Sequence, residues 1–371
     1  MSCLTATDNT ALSESAKYGY IPGLDGMRAI AVLIVLVAHM GFEHIVPGGF
    51  GVTVFFFISG FLITRLLLAE SESKGQVGLK NFYIRRFVRL YPALLFMLFG
   101  STLIFGILGV GGPSALQLSA GVFYFTNFFQ VGLQTFGGQV PFMPWTHLWS
   151  LAVEEHFYLV FPLVIYLCRG NWRRTAKILA AILIAVPLWR SFIHFGTSIP
   201  SVDYNYMMTD ARFDSLAWGC LLSVLLHLKG SLKPFKSVLG VIPVAVALAA
   251  ILASFLIRDE NFRYTIRFSL QGAALFILIL NFYYLKSMRF AIWICETKPL
   301  VWTGQISYAL YLWHVPLYFL IIRQGYMERN VLSILLVVAL SFIISAISFY
   351  WVEKPFIALR KRFGAHIVKR A

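Results

Sequence analysis

The chain has 371 residues, 59% hydrophobic and 13% charged, with a mean hydropathy of +0.76. Soluble domains carry roughly 25% charged residues, so this composition excludes a water-soluble globular protein and points to a lipid-embedded one. A net charge of +15 in a soluble chain would suggest nucleic acid, but here Lys and Arg gather in short gaps between apolar runs and read as membrane anchors, so no nucleic-acid partner is expected.

Residues 1–20 form a polar tail without the basic start or apolar stretch of a signal peptide, so insertion is expected to rest on the first span. A span takes about 20 mostly apolar residues. Ten such runs follow, at roughly 29–46, 50–68, 91–111, 148–168, 176–195, 212–228, 237–257, 267–285, 300–322 and 331–351. The expectation is an all-α polytopic membrane protein of about ten transmembrane helices, with residues 21–355 as the membrane unit and 356–371 as a basic tail. With both termini in the cytoplasm, 24 of the 31 Lys and Arg residues fall inside and 7 outside, which favours that orientation. Cys3, Cys168, Cys220 and Cys295 are scattered and imply neither a disulfide framework nor a zinc site.

No charged residue stands between Arg89 and Glu154. A crossing within 112–147 would invert every later loop, so this stretch reads as an outer-face loop or re-entrant segment. Its GGP and FGGQVPFMP runs support loop character. Irregular backbone at membrane depth stands only against protein or a water-filled cavity, which makes the stretch a candidate cavity lining. No internal repeat is visible.

An ionisable side chain inside a span is costly and therefore a candidate for function. In the first span Asp25 can cap the helix, Arg28 sits in its first turn, and His39 follows eleven residues on. Eleven residues make almost three turns, so Arg28 and His39 share a face about 16 Å apart. His39 can act as a general base near neutral pH, or can simply be hydrogen-bonded between packed helices. Arg85, Arg86 and Arg89 precede the third span, where guanidinium forks suit phosphate or, more plainly, anchor the helix. Glu154 and Glu155 open another span, with His147 and His156 nearby; adjacent carboxylates point to different faces, so one can face the interior while the other meets water. A His147–Glu154–His156 metal site matches no known ligand spacing, and no metal is expected. Asp210, Arg212 and Asp214 read as a mutual ion-pair cluster at an outer edge, and His314, two turns after Ser307, as a packed histidine.

Seven stretches then line up in order: LDGMRAIAVLIVLVAH, GVTVFFFISGFLIT, FYIRRFVRLYPA, HLWSLAVEEHFYLVFP, RFDSLAWG, ISYALYLWHVPL and WVEKP. Over residues 24–355 the chain resembles the family-3 membrane acyltransferases, which include bacterial O-acetyltransferases of surface polysaccharides. The resemblance implies a ten-span fold in the bacterial inner membrane. It implies acetyl-CoA or another acyl-CoA as co-substrate, no permanently bound cofactor, and a carbohydrate or lipid-linked glycan as acceptor. His39 matches the family's essential histidine, Arg28 its accompanying arginine, and Glu154 its Trp-Ser-Leu-x-x-Glu motif. Arg86 and Arg89, with neighbouring Arg85, fall on the acyl-CoA side. Asp25, Trp149, Ser150, Asp214 and His314 complete the expected substrate-binding set. His156 stands where glutamine is more usual. The C-terminal esterase-like domain of some members is not seen, so a second transfer step is expected to lie elsewhere.

The expected chemistry has His39 as general base, the arginines on coenzyme A phosphates, and Glu154 meeting the acceptor from the outer side; a transient acyl-enzyme is the variant. The competing class is a transporter or flippase of a lipid-linked or small organic substrate. Transporters often show repeated halves or broken helices, and neither is expected here. A non-catalytic membrane scaffold is the third reading.

Overall fold

The computed structural model describes residues 20–135, 143–229 and 233–359. The Lys17 anchor, the tails 1–19 and 360–371, and the glycines of FGGQVPFMP lie outside the described residues. Within them every regular element is helical, and all ten apolar runs fall on helices.

The first is α1 (Leu24–Val37), which continues as a π-turn over Ala38–Phe42. Long helices α2 (Gly48–Lys74) and α3 (Leu79–Ile107) follow. Two short ones, α4 (Ala115–Val122) and α5 (Thr126–Thr135), lead to α6 (Trp149–Leu167) and α7 (Trp172–Gly196). Next come α8 (Ser201–Met207), α9 (Thr209–Lys229), α10 (Val241–Leu256) and α11 (Glu260–Thr265). The chain closes with α12 (Arg267–Tyr284), α13 (Arg289–Cys295), α14 (Lys298–Gln305), α15 (Ser307–Tyr318), α16 (Val331–Ile347) and α17 (Lys354–Leu359).

Seven of these helical segments are long and apolar enough to cross a bilayer, or up to nine if each of two bent pairs forms one span. The 16-residue α10 rises about 24 Å and falls short of a roughly 30 Å hydrocarbon core. The chain is a multi-pass membrane protein by these helices. Its apolar surface agrees: Ile242, Val331 and Trp351 are more than three-quarters exposed, while Ser341, Asn281 and Arg190 are buried.

The bent pairs correct the expectation of unbroken helices. α12 meets its continuation at 91°, and α14 meets α15 at 71°. Hydropathy sees composition, whereas the breaks are backbone events, at extended Leu285 (φ −96°, ψ 122°) and at Ile306 (φ −87°, ψ 2°). The α1 cap also differs from expectation. Gly23, left-handed at φ +77°, occupies the cap and donates its N–H to Glu296, while Asp25 lies in the first turn. The close approach of α14 to α1 explains the neighbouring glycine, because a Cβ on Gly304 would overlap the Asp25 carbonyl.

Within 112–135 the chain forms α4 and α5, each too short to cross, where a loop was one expectation. The chain runs back along α3, with Gly121 against Leu98 and the Tyr91 hydroxyl donating to the Val122 carbonyl at 3.0 Å. It reverses at Tyr124, whose φ of 56° is left-handed. It then returns through α5, where Gln130 donates to the Thr146 carbonyl and the neighbouring Trp145 indole donates to Ser101. These two short helices form a hairpin packed along α3.

The crossing of α2 and α9 holds the centre. Gly60 meets the Leu216 carbonyl, Gly219 meets the Phe57 carbonyl, and Ser223 donates to the Phe61 carbonyl at 2.8 Å. Small residues let the backbones touch, the usual glue where lipid removes the hydrophobic drive. Gly219→Ala is expected to cost about 1–3 kcal/mol through overpacking. Thermal unfolding in detergent checks this, with the half-buried Gly132→Ala, whose Cβ meets nothing within 4 Å, as the control free of overpacking.

Candidate active site

Two cavities flank one wall inside the bundle. The first, about 210 Å³, is lined by Arg28, Arg86, Arg89, Glu154, Glu155 and Tyr158, among others. The second, about 380 Å³, is lined by His39, Trp149, Asp203, Tyr206, Arg267 and neighbours. Val52 and Tyr311 line both. The Tyr311 hydroxyl donates to the His147 carbonyl at 2.8 Å and pairs with the Ser150 hydroxyl, which fixes the ring in the wall.

Helix periodicity puts Arg28 and His39 on one face of α1, and the structure gives each its own cavity: Arg28 on the arginine side, His39 on the other. His39 sits in the π-turn, whose Gly41 leaves helical geometry at φ +89°. π-bulges are frequent at functional sites because they re-aim one side chain. The His39 Nδ1 lies 2.8 Å from His314 Nε2, and His314 Nδ1 lies 2.9 Å from the Leu310 carbonyl. A carbonyl only accepts, so His314 carries its proton on Nδ1 and offers a lone pair at Nε2. His39 therefore donates from Nδ1 and keeps its own lone pair at Nε2, the state a general base needs. The His147 ring packs edge-on against His314, with centroids 5.2 Å apart. His314, read as a substrate-binding residue, is thus the partner that orients His39.

On the arginine side, Glu154 accepts from Ser59 Oγ at 2.7 Å and from the Tyr158 hydroxyl. The Arg86 guanidinium stacks over the Tyr158 ring, 3.5 Å from its centroid. Glu155 lies within electrostatic reach of Arg86 and Arg89. Both carboxylates therefore border the arginine-side cavity. Glu154 thus shares a cavity with the arginines rather than with His39, and both carboxylates are half-buried there. The reason is depth: the partition runs through Trp149 and Ser150, one turn ahead of Glu154, with Trp149 lining the histidine side and Ser150 the arginine side.

Three other expected residues stand elsewhere. Arg85 is paired with Glu70 at 2.7 Å and borders neither cavity. Asp25 borders neither cavity and packs beneath α14. Asp214 is fully buried in a two-pronged pair with Arg190, at 3.0 and 2.8 Å. The expected Asp210–Arg212–Asp214 cluster does not form. Asp210 accepts from Trp189 and Tyr204, and Arg212 donates to the Tyr206 carbonyl and to Thr53 while stacking 3.9 Å from the Phe268 centroid. Among the described residues no three His, Cys, Asp or Glu side chains are placed to hold a metal, and His156 bonds Thr209 instead. Of the described residues 112–135, Tyr124 lines the arginine-side cavity.

Tyr311 was not singled out from sequence. Its signal was position: three residues before His314, it shares that residue's helix face.

A family model described as an acyltransferase domain matches residues 21–350. The chain belongs to the family 3 acyltransferases. A relative from Staphylococcus aureus (strain COL) is 33% identical over 377 residues, covering 92% of this chain and 58% of its own length. The peptidoglycan O-acetyltransferase OatA of Listeria monocytogenes is 32% identical over 375 residues, covering 93% of this chain and 57% of its own length. The O-acetyltransferase OatA of Staphylococcus aureus (strain NCTC 8325 / PS 47) is 32% identical over 358 residues, covering 91% and 57%. This family 3 acyltransferase thus spans less than three-fifths of the length of these curated relatives. No solved structure matches it.

Proposed function

We propose that this family 3 acyltransferase moves an acyl group, acetyl first, from cytoplasmic acyl-CoA to a hydroxyl of a glycan or glycosylated acceptor across a bacterial cytoplasmic membrane. The observation that carries the reading is the pair of cavities sharing the Tyr311 wall, with His39 held by His314 on one side and Arg28, Arg86 and Arg89 on the other. The excess of Lys and Arg in one set of loops favours a cytoplasmic arginine side and cytoplasmic termini. The name of the Listeria relative makes peptidoglycan the first acceptor to try.

At about 210 Å³ the arginine-side cavity is smaller than the roughly 300–1,000 Å³ typical of whole-ligand pockets. It suits the acyl-thioester arm of the donor, with the phosphates outside or at Arg28, Arg86 and Arg89. The acceptor hydroxyl gives its proton to His39 Nε2 as its oxygen attacks the thioester carbon. The tetrahedral oxyanion forms at the wall, where the Tyr311 hydroxyl turns from the His147 carbonyl to donate to it. Collapse expels the coenzyme A thiolate, and the histidine proton neutralises the leaving sulfur.

The test supplies radiolabelled acetyl-CoA to membrane vesicles open on the cytoplasmic face and follows label into glycan. Label is expected only in membranes holding the protein. Repeated absence of label across acyl donors and glycans would overturn the reading. The double variant Arg86→Gln with Arg89→Gln is expected to raise the donor KM about tenfold or more, with a smaller change in kcat, because charge-assisted contacts to phosphate are made in ground and transition states alike. Steady-state kinetics on vesicles checks that split.

A further inference from the structure

The histidine-side cavity has a feature that hydroxyl chemistry does not use. Arg258, Arg263 and Arg267 all line it. None of the three takes part in an ion pair among the described residues, although Glu43 and Asp203 also border the cavity. The buried Nε of Arg267 has no hydrogen-bond partner. Of the two fully buried guanidinium groups, Arg190 is paired with Asp214, and Arg212 donates to the Tyr206 carbonyl and Thr53. Three guanidinium groups facing one partly enclosed space repel one another, and leaving a buried donor unmet costs stability. An arriving anion removes both costs.

The shape of the cavity narrows the ligand. Its volume of about 380 Å³ falls in the range of small-ligand sites. Phe50, Trp149, Tyr206, Phe255, Tyr264 and Phe268 supply flat apolar faces around the same space. Arg267 itself is packed on one of them, its guanidinium carbon 4.9 Å from the Phe268 centroid. Aromatic faces hold apolar ring faces while guanidinium forks hold oxyanions, and together they suit a charged sugar better than a neutral one.

We propose that the acceptor carries an oxyanion, a carboxylate or a phosphate, beside the hydroxyl to be acylated, and that Arg258, Arg263 and Arg267 read it. This rests on the proposed function in placing the acceptor in the His39 cavity. The arginines then do what the base cannot: they fix which hydroxyl of an acidic glycan reaches His39.

The test uses the full chain in lipid nanodiscs and reads binding by calorimetry, apart from turnover. Trigalacturonate is compared with its trimethyl ester, the same skeleton without charge, and galactose 6-phosphate with galactose. The charged member of at least one pair is expected to bind about tenfold tighter, the worth of one good charge-assisted contact. The pair that shows the preference tells carboxylate from phosphate. The preference is expected to vanish in Arg258→Gln with Arg263→Gln, which leaves Arg267 on Phe268 to hold the start of α12. Equal binding within both pairs, including none at all, overturns the inference, and so does a preference that survives the double variant. A non-hydrolysable acetyl-CoA thioether is titrated in parallel. Failure of that arm alone counts against the proposed donor site and leaves the anion reading standing.

Discussion

His39→Ala is expected to lower acetyl transfer by about 10²–10⁴-fold, the usual contribution of a positioned general base, with insertion and yield unchanged. The loss follows from geometry. His39 borders the histidine-side cavity and, with its proton held on Nδ1 by His314, presents the lone pair of Nε2. Among the described residues lining that cavity, His39 is the histidine whose tautomer a hydrogen bond sets, through His314 at 2.8 Å. Transfer is measured with labelled acetyl-CoA at matched protein levels. Turnover close to wild type in His39→Ala would take histidine out of the chemistry. His314→Ala is expected to give a smaller loss, because the His39 ring remains but no longer has its acceptor and can adopt either tautomer. A His314 variant as damaged as the His39 variant would instead assign chemistry to His314 itself.

The sequence carried the helices and the long-range face of α1, because apolar run length and the 3.6-residue period are local properties. It placed Arg28 and His39 on one face, and the cavities lie along that face. It could not carry the partition. Whether Glu154 faces acceptor or donor depends on where Tyr311 and Val52 cross the bundle, more than 150 positions away for Tyr311. The same holds for Arg85, which resembles Arg86 in the sequence but is turned to Glu70 on α2. Nor could it carry the breaks at Leu285 and Ile306, since neither LKSM nor GQIS contains the proline that marks most kinks. The helical character within 112–135 was masked by its glycines: Gly112 precedes α4, Gly121 sits in α4 at the contact with Leu98, and Gly132 is carried inside α5.

The largest effect on stability is expected at Asp214. Its carboxylate and Arg190 are both fully buried, and Ser269 also donates to it, at 2.6 Å. Arg190 spends its remaining donors on the Thr265 carbonyl at 2.7 Å, the Ala211 carbonyl at 2.6 Å and Ser269 Oγ at 2.6 Å. One guanidinium therefore ties α7 to α9, to the end of α11 and to the start of α12. Asp214→Ala strands that fully buried charge without its carboxylate, and is expected to cost about 3–5 kcal/mol. The paired change Arg190→Met with Asp214→Leu removes the charge together with its partner and is expected to recover most of the loss. Unfolding in detergent, followed for wild type, Asp214→Ala and the pair, checks the order. The consequence reaches the site through α12. Arg267 and Phe268 open that helix and line the His39 cavity, and Arg212 packs against Phe268 from behind. A partly stable Asp214 variant should therefore lose acceptor handling before donor binding, since Arg28, Arg86 and Arg89 stand on α1 and α3, outside the bracket. Donor affinity falling first would place the Arg190 tie in a different mechanical role.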